Sequence, residues 1–323
     1  MNHTLACLRH LSADQFVSGA VIADALDLSR ASVSTALAAA EEFGVTLERK
    51  HGVGYRLITP IDWLDNQTIR QHLPRHSVLD TEVLERTDST NKQLLAQPRH
   101  GRVLAAEWQE GGRGRMGRRW QGRLGGSLMF SLGWAFAGGA PTLAGLPLAV
   151  GCIVTETLAE CGVSQMALKW PNDLLLGNAK AGGILIELTG DALGPAYAVI
   201  GIGLNILAPA VDVAQVAAGL RDHGLSLTRN DVLARLLERL EQGLEEFSRN
   251  GFDSFRTRWE ARHVWQGLPV NLLSPDGSVL AGVARGVTPS GALRLETVDG
   301  ERIIHAGDVS LRLQTPAQPT QAV

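Results

Sequence analysis

The segment GGRGRMGRRW, residues 111–120, combines closely spaced glycines with four arginines, a composition that suits an anionic ligand. Glycine lets the backbone approach a ligand closely, and each guanidinium offers a planar fork of donors that fits a phosphate or a carboxylate. Four arginines within seven residues also repel one another, so we expect the loop to become ordered when a polyanion binds. A solvated basic surface loop is the alternative interpretation.

The glycines of this loop also match the dinucleotide fingerprint G-x-G-x-x-G, which we reject. That fingerprint must open a helix, whereas the sequence RRWQGRLGG that follows is a poor helix former, and no well-placed acidic residue lies about 20 positions further on. The chain also lacks the P-loop pattern G-x-x-x-x-G-K-[ST]. Any nucleotide phosphates must therefore be held by side chains on a mobile loop.

A second group of chemically useful residues lies in ALKWPNDLLLGNAKAGGILIEL, residues 167–188. Pro171 lacks a backbone donor and keeps the preceding residue extended, so 169–173 is predicted as a shaped loop in the first arm of a hairpin. Residues 174–176 and 183–188 read as buried strands joined through the turn pair Gly177–Asn178. The second arm then begins near Lys180. A lysine in this position can place its point charge near a phosphate, which favours an adenylating site. The alternative is an ordinary hairpin with two exposed lysines.

Three further motifs complete the pattern: DSTN at 88–91, EWQ at 107–109 and GIGLN at 201–205. With GRGRMGR, KWPNDLLL and KAGGILIE in this order, the chain resembles the bifunctional biotin protein ligases that also act as biotin operon repressors. The resemblance covers nearly the whole chain, as far as GDVSLR at 307–312. It implies adenylation of biotin by ATP with release of pyrophosphate, then transfer of biotin to a lysine of a biotin carboxyl carrier protein.

The resemblance also implies the site residues. Lys180 and Arg115 are the expected catalytic residues, Lys180 between the biotin carboxylate and the α-phosphate and Arg115 on the phosphates. The expected biotin-binding residues are Ser89, Thr90, Asn91, Gln109, Arg113, Gly114, Arg115 and Lys180. The expected ATP- and adenylate-binding residues are Arg118, Arg119, Trp120, Lys169, Asn172, Asp173 and Asn205. Mg²⁺ that enters with ATP is expected to bridge phosphate oxygens near Asn172 and Asp173.

The elements that must position these residues fall into three predicted parts, which make a multidomain α+β protein. Residues 1–62 have the periodicity and capping serines of a winged helix-turn-helix, with Leu5, Leu8 and Leu11 on one stripe, Val21, Ile22, Ala25 and Leu26 on another, and a third helix to Phe43. Residues 63–268 alternate strands and helices of a mixed-sheet α/β ligase domain. Residues 269–315 read as short strands of an SH3-like β-barrel, and 316–323 as a disordered tail.

DNA binding depends on the winged part, whose predicted recognition helix has few residues that read base edges. Residues 1–60 carry five basic and six acidic side chains, so attraction to DNA must come mainly from the wing. The expected DNA-binding residues are Ser29, Arg30, Ser32, Ser34, Thr35, Arg49 and Lys50. By resemblance, an adenylate-bound homodimer would bind a palindromic operator.

Composition agrees with this interpretation without proving it. The 323 residues have a net charge of −3, which argues against wholesale binding of nucleic acid, and three cysteines, which suit reduced thiols. We expect no membrane segment, because no apolar run approaches about 20 residues, and we expect a cytoplasmic protein. The alternatives are a ligase whose winged part does not regulate, a lipoate-type ligase, and a catalytically dead regulator that responds to ligand.

Overall fold

The computed structural model describes residues 3–190, 194–209, 216–307 and 309–314. Within them the chain forms a small helical module with a two-stranded hairpin, a seven-stranded sheet flanked by helices, and a five-stranded sheet. The expected α+β architecture is therefore confirmed, whereas the domain bounds stay predictions. The predicted tail, 316–323, lies outside the described residues.

The amino-terminal module is a winged helix-turn-helix. Its elements are α1 (Thr4–Arg9), α2 (Gly19–Leu26), α3 (Arg30–Ala38), a 3₁₀ helix (Ala39–Phe43), β1 (Leu47–Lys50) and β2 (Gly54–Leu57). Ser18 and Ser29 cap α2 and α3, as predicted, by accepting hydrogen bonds from the next turn at 3.2 and 3.0 Å. The third helix reaches Phe43 as predicted, although its last part, Ala39–Phe43, is 3₁₀. One prediction was wrong: Val21 is 58% exposed, so the buried stripe of α2 runs through Ile22 and Ala23.

The central sheet is mixed and has the strand order β3-β4-β5-β9-β8-β7-β6. Its strands are β3 (Asp80–Thr87), β4 (Arg102–Gln109), β5 (Ser127–Phe136), β6 (Met166–Lys169), β7 (Asp173–Leu176), β8 (Ala179–Gly190) and β9 (Ala196–Asn205). Only β3 and β4 run parallel. The predicted first arm of the hairpin is in fact two antiparallel strands, β6 and β7, which reverse at 170–172 and bring Lys169 opposite Asp173.

Helices cover the sheet unequally. They are α4 (Asn66–His72), α5 (Thr90–Ala96), α6 (Leu146–Glu160), α7 (Arg229–Asn250) and α8 (Asp253–Glu260). The apolar core lies between one sheet face and the pair α6 and α7, while α5 covers part of the opposite face and leaves the rest open. Contrary to our expectation, the segment Ala140–Glu160 is long and apolar enough to cross a membrane; 72% of its most apolar window is nevertheless buried, as in a core helix.

The carboxy-terminal part is an antiparallel sheet in the order β13-β12-β11-β10-β14. Its strands are β10 (Pro269–Leu273), β11 (Val279–Val287), β12 (Leu293–Thr297), β13 (Gly300–Ile304) and β14 (Ser310–Leu313). Its apolar residues join the core of the central part, and the indole of Trp170 donates to the carbonyl of Gly291 at 3.1 Å. The two parts therefore pack as one body around a shared core.

A buried ion pair fastens the start of α7 to the linker that leaves the winged module. Arg229 and Glu107 are fully buried, and their side chains meet at 2.7 Å. Arg229 also donates to the carbonyls of Asp62 and Ser127, and Glu107 accepts from the backbone of Leu64 at 2.6 Å. Both charges are thus hydrogen-bonded, which is the condition under which a buried ion pair is tolerated.

Arg229→Met should lower the free energy of unfolding by about 3–5 kcal/mol, because it leaves the buried carboxylate of Glu107 with the more distant Arg9, at 3.7 Å, in place of its close partner. Chemical denaturation would measure the change. The double variant Arg229→Met/Glu107→Met is the control, since it removes both charges and should lose less stability than the single variant. Equal losses in the two variants would contradict this role for the pair.

Candidate functional site

The open part of the sheet face forms a cavity of about 610 Å³. It lies between the loop 111–120, the strands β5, β8 and β9, and residues 309–312 of the carboxy-terminal part. Every residue that the sequence predicted for biotin or ATP lines this cavity. Residues far apart in the chain, and predicted from separate motifs, therefore meet in one place.

The cavity is strongly basic although the chain is slightly acidic. Among the described residues, one acidic side chain, that of Asp173, lines it together with seven cationic ones: Arg113, Arg115, Arg118, Arg119, Lys169, Lys180 and Arg312. Such an excess of positive charge attracts polyanions and stabilises negative charge that develops during a reaction.

The carboxylate of Asp173 lies between two lysines. Its Oδ2 accepts a hydrogen bond from Lys169 Nζ at 3.0 Å, and its Oδ1 contacts Lys180 Nζ. Burial raises the pKa of Asp173, but the two ammonium groups outweigh that effect and hold the pKa below its ordinary value. Burial lowers the pKa of Lys169, and Asp173 opposes the change. Asp173 therefore keeps two mutually repelling cations together.

These contacts engage the oxygens of Asn172 and Asp173, to which the Mg²⁺ that enters with ATP was assigned, and that assignment stays a prediction. Both oxygens of Asp173 face ammonium groups, Asn172 Oδ1 accepts from Arg115 at 3.2 Å, and its Nδ2 donates to the carbonyl of Ile184 at 2.8 Å. In the described part of the chain, no three His, Cys, Asp or Glu side chains cluster as metal ligands. Magnesium prefers several oxygen ligands, and those of Asn172 and Asp173 are already engaged.

The arginines of the loop already contact opposite walls of the cavity. Arg115 links Asn172 to the carbonyl of Gly307 in the carboxy-terminal part, and Arg113 pairs with Glu187 at 3.0 Å. Arg119 donates to the backbone of Glu110 at 2.7 Å, and Arg118 is exposed. Together with Gly114, which lines the cavity, the loop forms its roof.

The ring of Trp120 packs closely against β9. A Cβ atom added at Gly203 would lie 2.6 Å from the ring, so only glycine leaves room for it there. The indole Nε1 is buried and has no hydrogen-bond partner among the described residues. Asn205, at the end of β9, donates to the carbonyl of Lys180 at 3.2 Å. A flat apolar surface therefore lies beside the lysine cluster.

The other end of the cavity carries uncharged polar groups around the start of α5. Ser89 caps this helix, and its neighbour Thr90 donates its backbone N–H to Gln109 Oε1 at 2.9 Å. The hydroxyls of Thr90 and Ser131 lie 2.6 Å apart, and Ser131 donates to Asn91 Oδ1 at 2.6 Å. Small, directional donors and acceptors thus lie opposite the cationic end.

Sequence reasoning missed Ser131, Glu187 and Arg312. Ser131 was treated as part of an apolar strand, although a polar residue on the cavity face of β5 interrupts the run LMFSLGW. Glu187 likewise interrupts the apolar run GILIEL, and Arg312 ends a motif from which no residue role was assigned. A polar residue within a buried strand was the available signal in the first two cases.

The winged module presents the predicted DNA-binding residues unequally. Arg30, Ser34 and Thr35 are exposed on α3, and Lys50 is exposed on the wing. The hydroxyls of Ser29 and Ser32 lie 2.8 Å apart, within the cap of α3. Arg49 donates to the carbonyl of Leu37 at 3.0 Å and so ties the wing to the helix. The wing residue Arg56, also counted as a source of attraction to DNA, pairs with Glu48 and therefore contributes less free positive charge.

Comparisons with known proteins match each part of the chain. The biotin/lipoate A/B protein ligase family matches residues 83–205, the biotin protein ligase C terminal domain matches 267–312, and an HTH domain matches 4–56. The bifunctional ligase/repressor BirA of Salmonella typhimurium is 34% identical over 314 residues, which are 95% of this chain and 97% of the relative. That of Escherichia coli is 35% identical over 308 residues, 94% and 95% of the two chains.

A solved structure agrees with these matches. The biotin protein ligase from Aquifex aeolicus in complex with biotin and ATP is 30% identical, with a TM-score of 0.63. The similarity covers 73% of this chain and 99% of that one.

Proposed function

The chain belongs to the biotin protein ligase family, among its bifunctional ligase/repressors, and we propose that the basic cavity joins biotin to ATP. The product is biotinyl-5'-adenylate, with release of pyrophosphate, and biotin is then transferred to a lysine of an acceptor protein. The observation that carries the proposal is the meeting of the arginine loop, Lys180 and the polar end of α5 around one cavity.

The first step needs two anions to be held together. The biotin carboxylate attacks the α-phosphorus of ATP, a new C–O–P bond forms, and the bond to pyrophosphate breaks. Lys180 lies between the two anions, Arg115 and Arg118 hold phosphates, and Lys169 adds positive charge close by. Catalysis is then mainly positioning and charge neutralisation. Mg²⁺ enters with ATP as part of the substrate.

The remaining residues position the two substrates. The uncharged groups of Ser89, Thr90, Asn91 and Gln109, with the backbone of Arg113 and Gly114, receive the bicyclic ring of biotin. Trp120 offers a ring on which adenine stacks, and Asn205 hydrogen-bonds the edge of the adenine. Arg119 adds positive charge at the loop.

In the second step, the ε-amine of an acceptor lysine attacks the acyl carbon, and AMP leaves. The mixed anhydride must be kept from water until the acceptor docks, so the loop serves as a lid as well as a clamp. We propose a biotin carboxyl carrier protein as the acceptor. A cytoplasmic location stays a prediction.

Repression requires two winged modules on one operator. Strand β8 extends beyond its short partner β7, because the pairing stops at Gly183, and the exposed Leu188 lies on that free stretch. We propose that this edge pairs with a second copy when the adenylate orders the loop, which places two modules on a palindrome. The helix-turn-helix and the exposed Arg30 and Lys50 support binding of DNA.

The test is pyrophosphate release with biotin or lipoate, followed by sequencing of genomic DNA retained by the protein with and without biotin plus MgATP. We expect pyrophosphate release with biotin but not with lipoate. We also expect DNA fragments that share a palindrome to be retained only when biotin and MgATP are both present. Equal release of pyrophosphate with lipoate would contradict the assignment of biotin as the substrate. Release without any retained DNA would leave a ligase whose winged module does not repress.

Asp173→Asn should shift the alkaline limb of pyrophosphate release to lower pH. Burial already lowers the pKa of Lys169, and removing its counter-ion lowers it further, so the ammonium is lost at a lower pH. A pH–rate profile measures the limb. Asp276→Asn, in an exposed turn, is the control, and a limb that stays in place in Asp173→Asn would argue against the electrostatic role.

A further inference from the structure

The carboxylate of Glu187 ends a chain of hydrogen bonds beneath the polar end of the cavity. It accepts from Asn91 Nδ2 at 2.8 Å and from Arg113 at 3.0 Å. The carbonyl of Leu185 also accepts from Asn91 Nδ2, at 3.3 Å. A carboxylate and a carbonyl can only accept, so the amide nitrogen of Asn91 must face them and Oδ1 must face Ser131.

The direction of each further bond follows from the number of protons. A hydroxyl has one proton, and Ser131 donates its proton to Asn91 Oδ1 at 2.6 Å. The contact of 2.6 Å between Ser131 and Thr90 must therefore be donated by Thr90, which leaves no proton for the longer contact of 3.3 Å between the Thr90 hydroxyl and Gln109 Oε1. Once its only proton points at Ser131, the hydroxyl of Thr90 can offer the cavity only lone pairs. Thr90 is thereby fixed as an acceptor.

Gln109 is fixed in the opposite sense. Its Oε1 accepts the backbone N–H of Thr90 at 2.9 Å, so the other side of its amide carries the two N–H donors. That nitrogen donates to no described residue, and Gln109 lines the cavity beside Thr90. A free acceptor thus lies next to a free donor. The complementary ligand edge has an N–H group beside a C=O group, as a cyclic urea does.

We propose that Glu187 and Ser131 are specificity-determining positioning residues, which select the ureido edge of biotin by fixing the direction of the chain Thr90, Ser131, Asn91, Glu187. This inference rests on the proposed function and deepens it. The dithiolane ring of lipoate has neither an N–H nor a C=O group, so it leaves both fixed groups unpaired. An unpaired buried polar group is a strong means of rejecting a ligand.

Burial makes the direction hard to reverse. Ser131 is fully buried, and Thr90 and Asn91 are 3% and 4% exposed, so water does not compete for their bonds. Glycine at position 201 leaves the space that Asn91 needs, because a Cβ atom there would lie 2.3 Å from Oδ1. The carboxylate of Glu187 sets the direction because it is the one charged acceptor in this row of hydrogen bonds.

The test is a double-mutant cycle in which calorimetry measures the affinity for biotin. In Glu187→Gln, glutamine has the same shape as glutamate but supplies a donor. The side-chain amide of Asn91 can then rotate by half a turn, and the direction of the hydrogen bonds through Ser131 and Thr90 can reverse. We expect the Kd for biotin to rise about tenfold, with the KM for ATP within about twofold of wild type. Glu301→Gln, an exposed partner of Arg294, is the matched control and should change neither constant.

The cycle is completed by Thr90→Val and the double variant. If Glu187 acts through the chain, Glu187→Gln should have less than about a twofold effect once the hydroxyl of Thr90 is absent. An undiminished effect in the Thr90→Val background means that Glu187 acts through Arg113 and the loop, and overturns the proposal. So does an unchanged Kd in Glu187→Gln.

A second variant covers failure of the first to fold. Ser131→Ala breaks the chain in its middle and frees the proton of Thr90, so it should also raise the Kd for biotin about tenfold. An unchanged Kd in this variant would likewise overturn the proposal. Wild-type protein that fails to bind biotin at all would instead overturn the proposed function, so the two failures are distinct.

Discussion

Replacing Lys180 by methionine should lower the rate of biotin-dependent pyrophosphate release about a thousandfold. The ammonium group lies at the cationic end of the cavity, where it neutralises the carboxylate that attacks and the phosphate that is attacked. Methionine keeps most of the volume and removes only the charge. Single-turnover kinetics with saturating biotin and MgATP would separate this loss of chemistry from a loss of binding.

Lys92→Met is the matched control for that variant. Lys92 lies on α5 close to the polar end of the cavity, but it is exposed and pairs with Asp88 outside the lining. Its replacement should leave the rate within about twofold of wild type, as is usual for an exposed ion pair. If Lys180→Met retained more than about a tenth of wild-type activity, Lys180 would not be the group that bridges the two anions.

Arg115→Ala should accelerate dissociation of biotinyl-adenylate about a hundredfold and cause labelling of lysines on unrelated proteins. Arg115 joins the loop to Asn172 on the cavity wall and to Gly307 in the carboxy-terminal part. Without those bonds the roof of the cavity is no longer held at that point, and the activated intermediate escapes. Stopped-flow dissociation measures the first effect, and biotin incorporated into added serum albumin measures the second.

Arg86→Ala provides the control, because Arg86 is an exposed arginine of β3 that pairs with Glu110 and does not line the cavity. It should leave both readouts unchanged. If Arg115→Ala retained the adenylate and labelled only the acceptor protein, Arg115 would not be a residue that holds the loop over the adenylate.

The motifs predicted to carry the chemistry could be recognised in the sequence because that information is local. Glycine and arginine at fixed spacing, or a lysine after a turn pair, need no knowledge of the fold. The buried strands predicted at 174–176 and 183–188 also lie within β7 and β8, because a turn pair and short apolar runs mark them in the local sequence. Prediction therefore worked where one segment carries its own signal.

Prediction failed where a residue takes its role from a distant segment. Ser131 matters because β5 places it beside Thr90, and Glu187 because β8 places it beside Asn91; neither pairing is written in the local sequence. The two lysine partners of Asp173 were missed for the same reason. Asp173 resembles a free ligand in the motif, yet the fold directs two lysines at its oxygens.

Because Asp173 lies between Lys169 and Lys180, binding of substrate is an exchange of ion-pair partners for the two lysines. Each lysine has to give up part of its bond to Asp173 as a phosphate or carboxylate arrives, so the Coulombic gain is smaller than the number of cations suggests. Lys169, Asp173 and Lys180 are 5%, 13% and 25% exposed, whereas Arg118 and Arg119 on the loop are exposed. Dissolved ions screen exposed charges far more than buried ones. Raising the ionic strength should therefore weaken capture of the nucleotide by the loop, while the charges at the reacting atoms keep their strength.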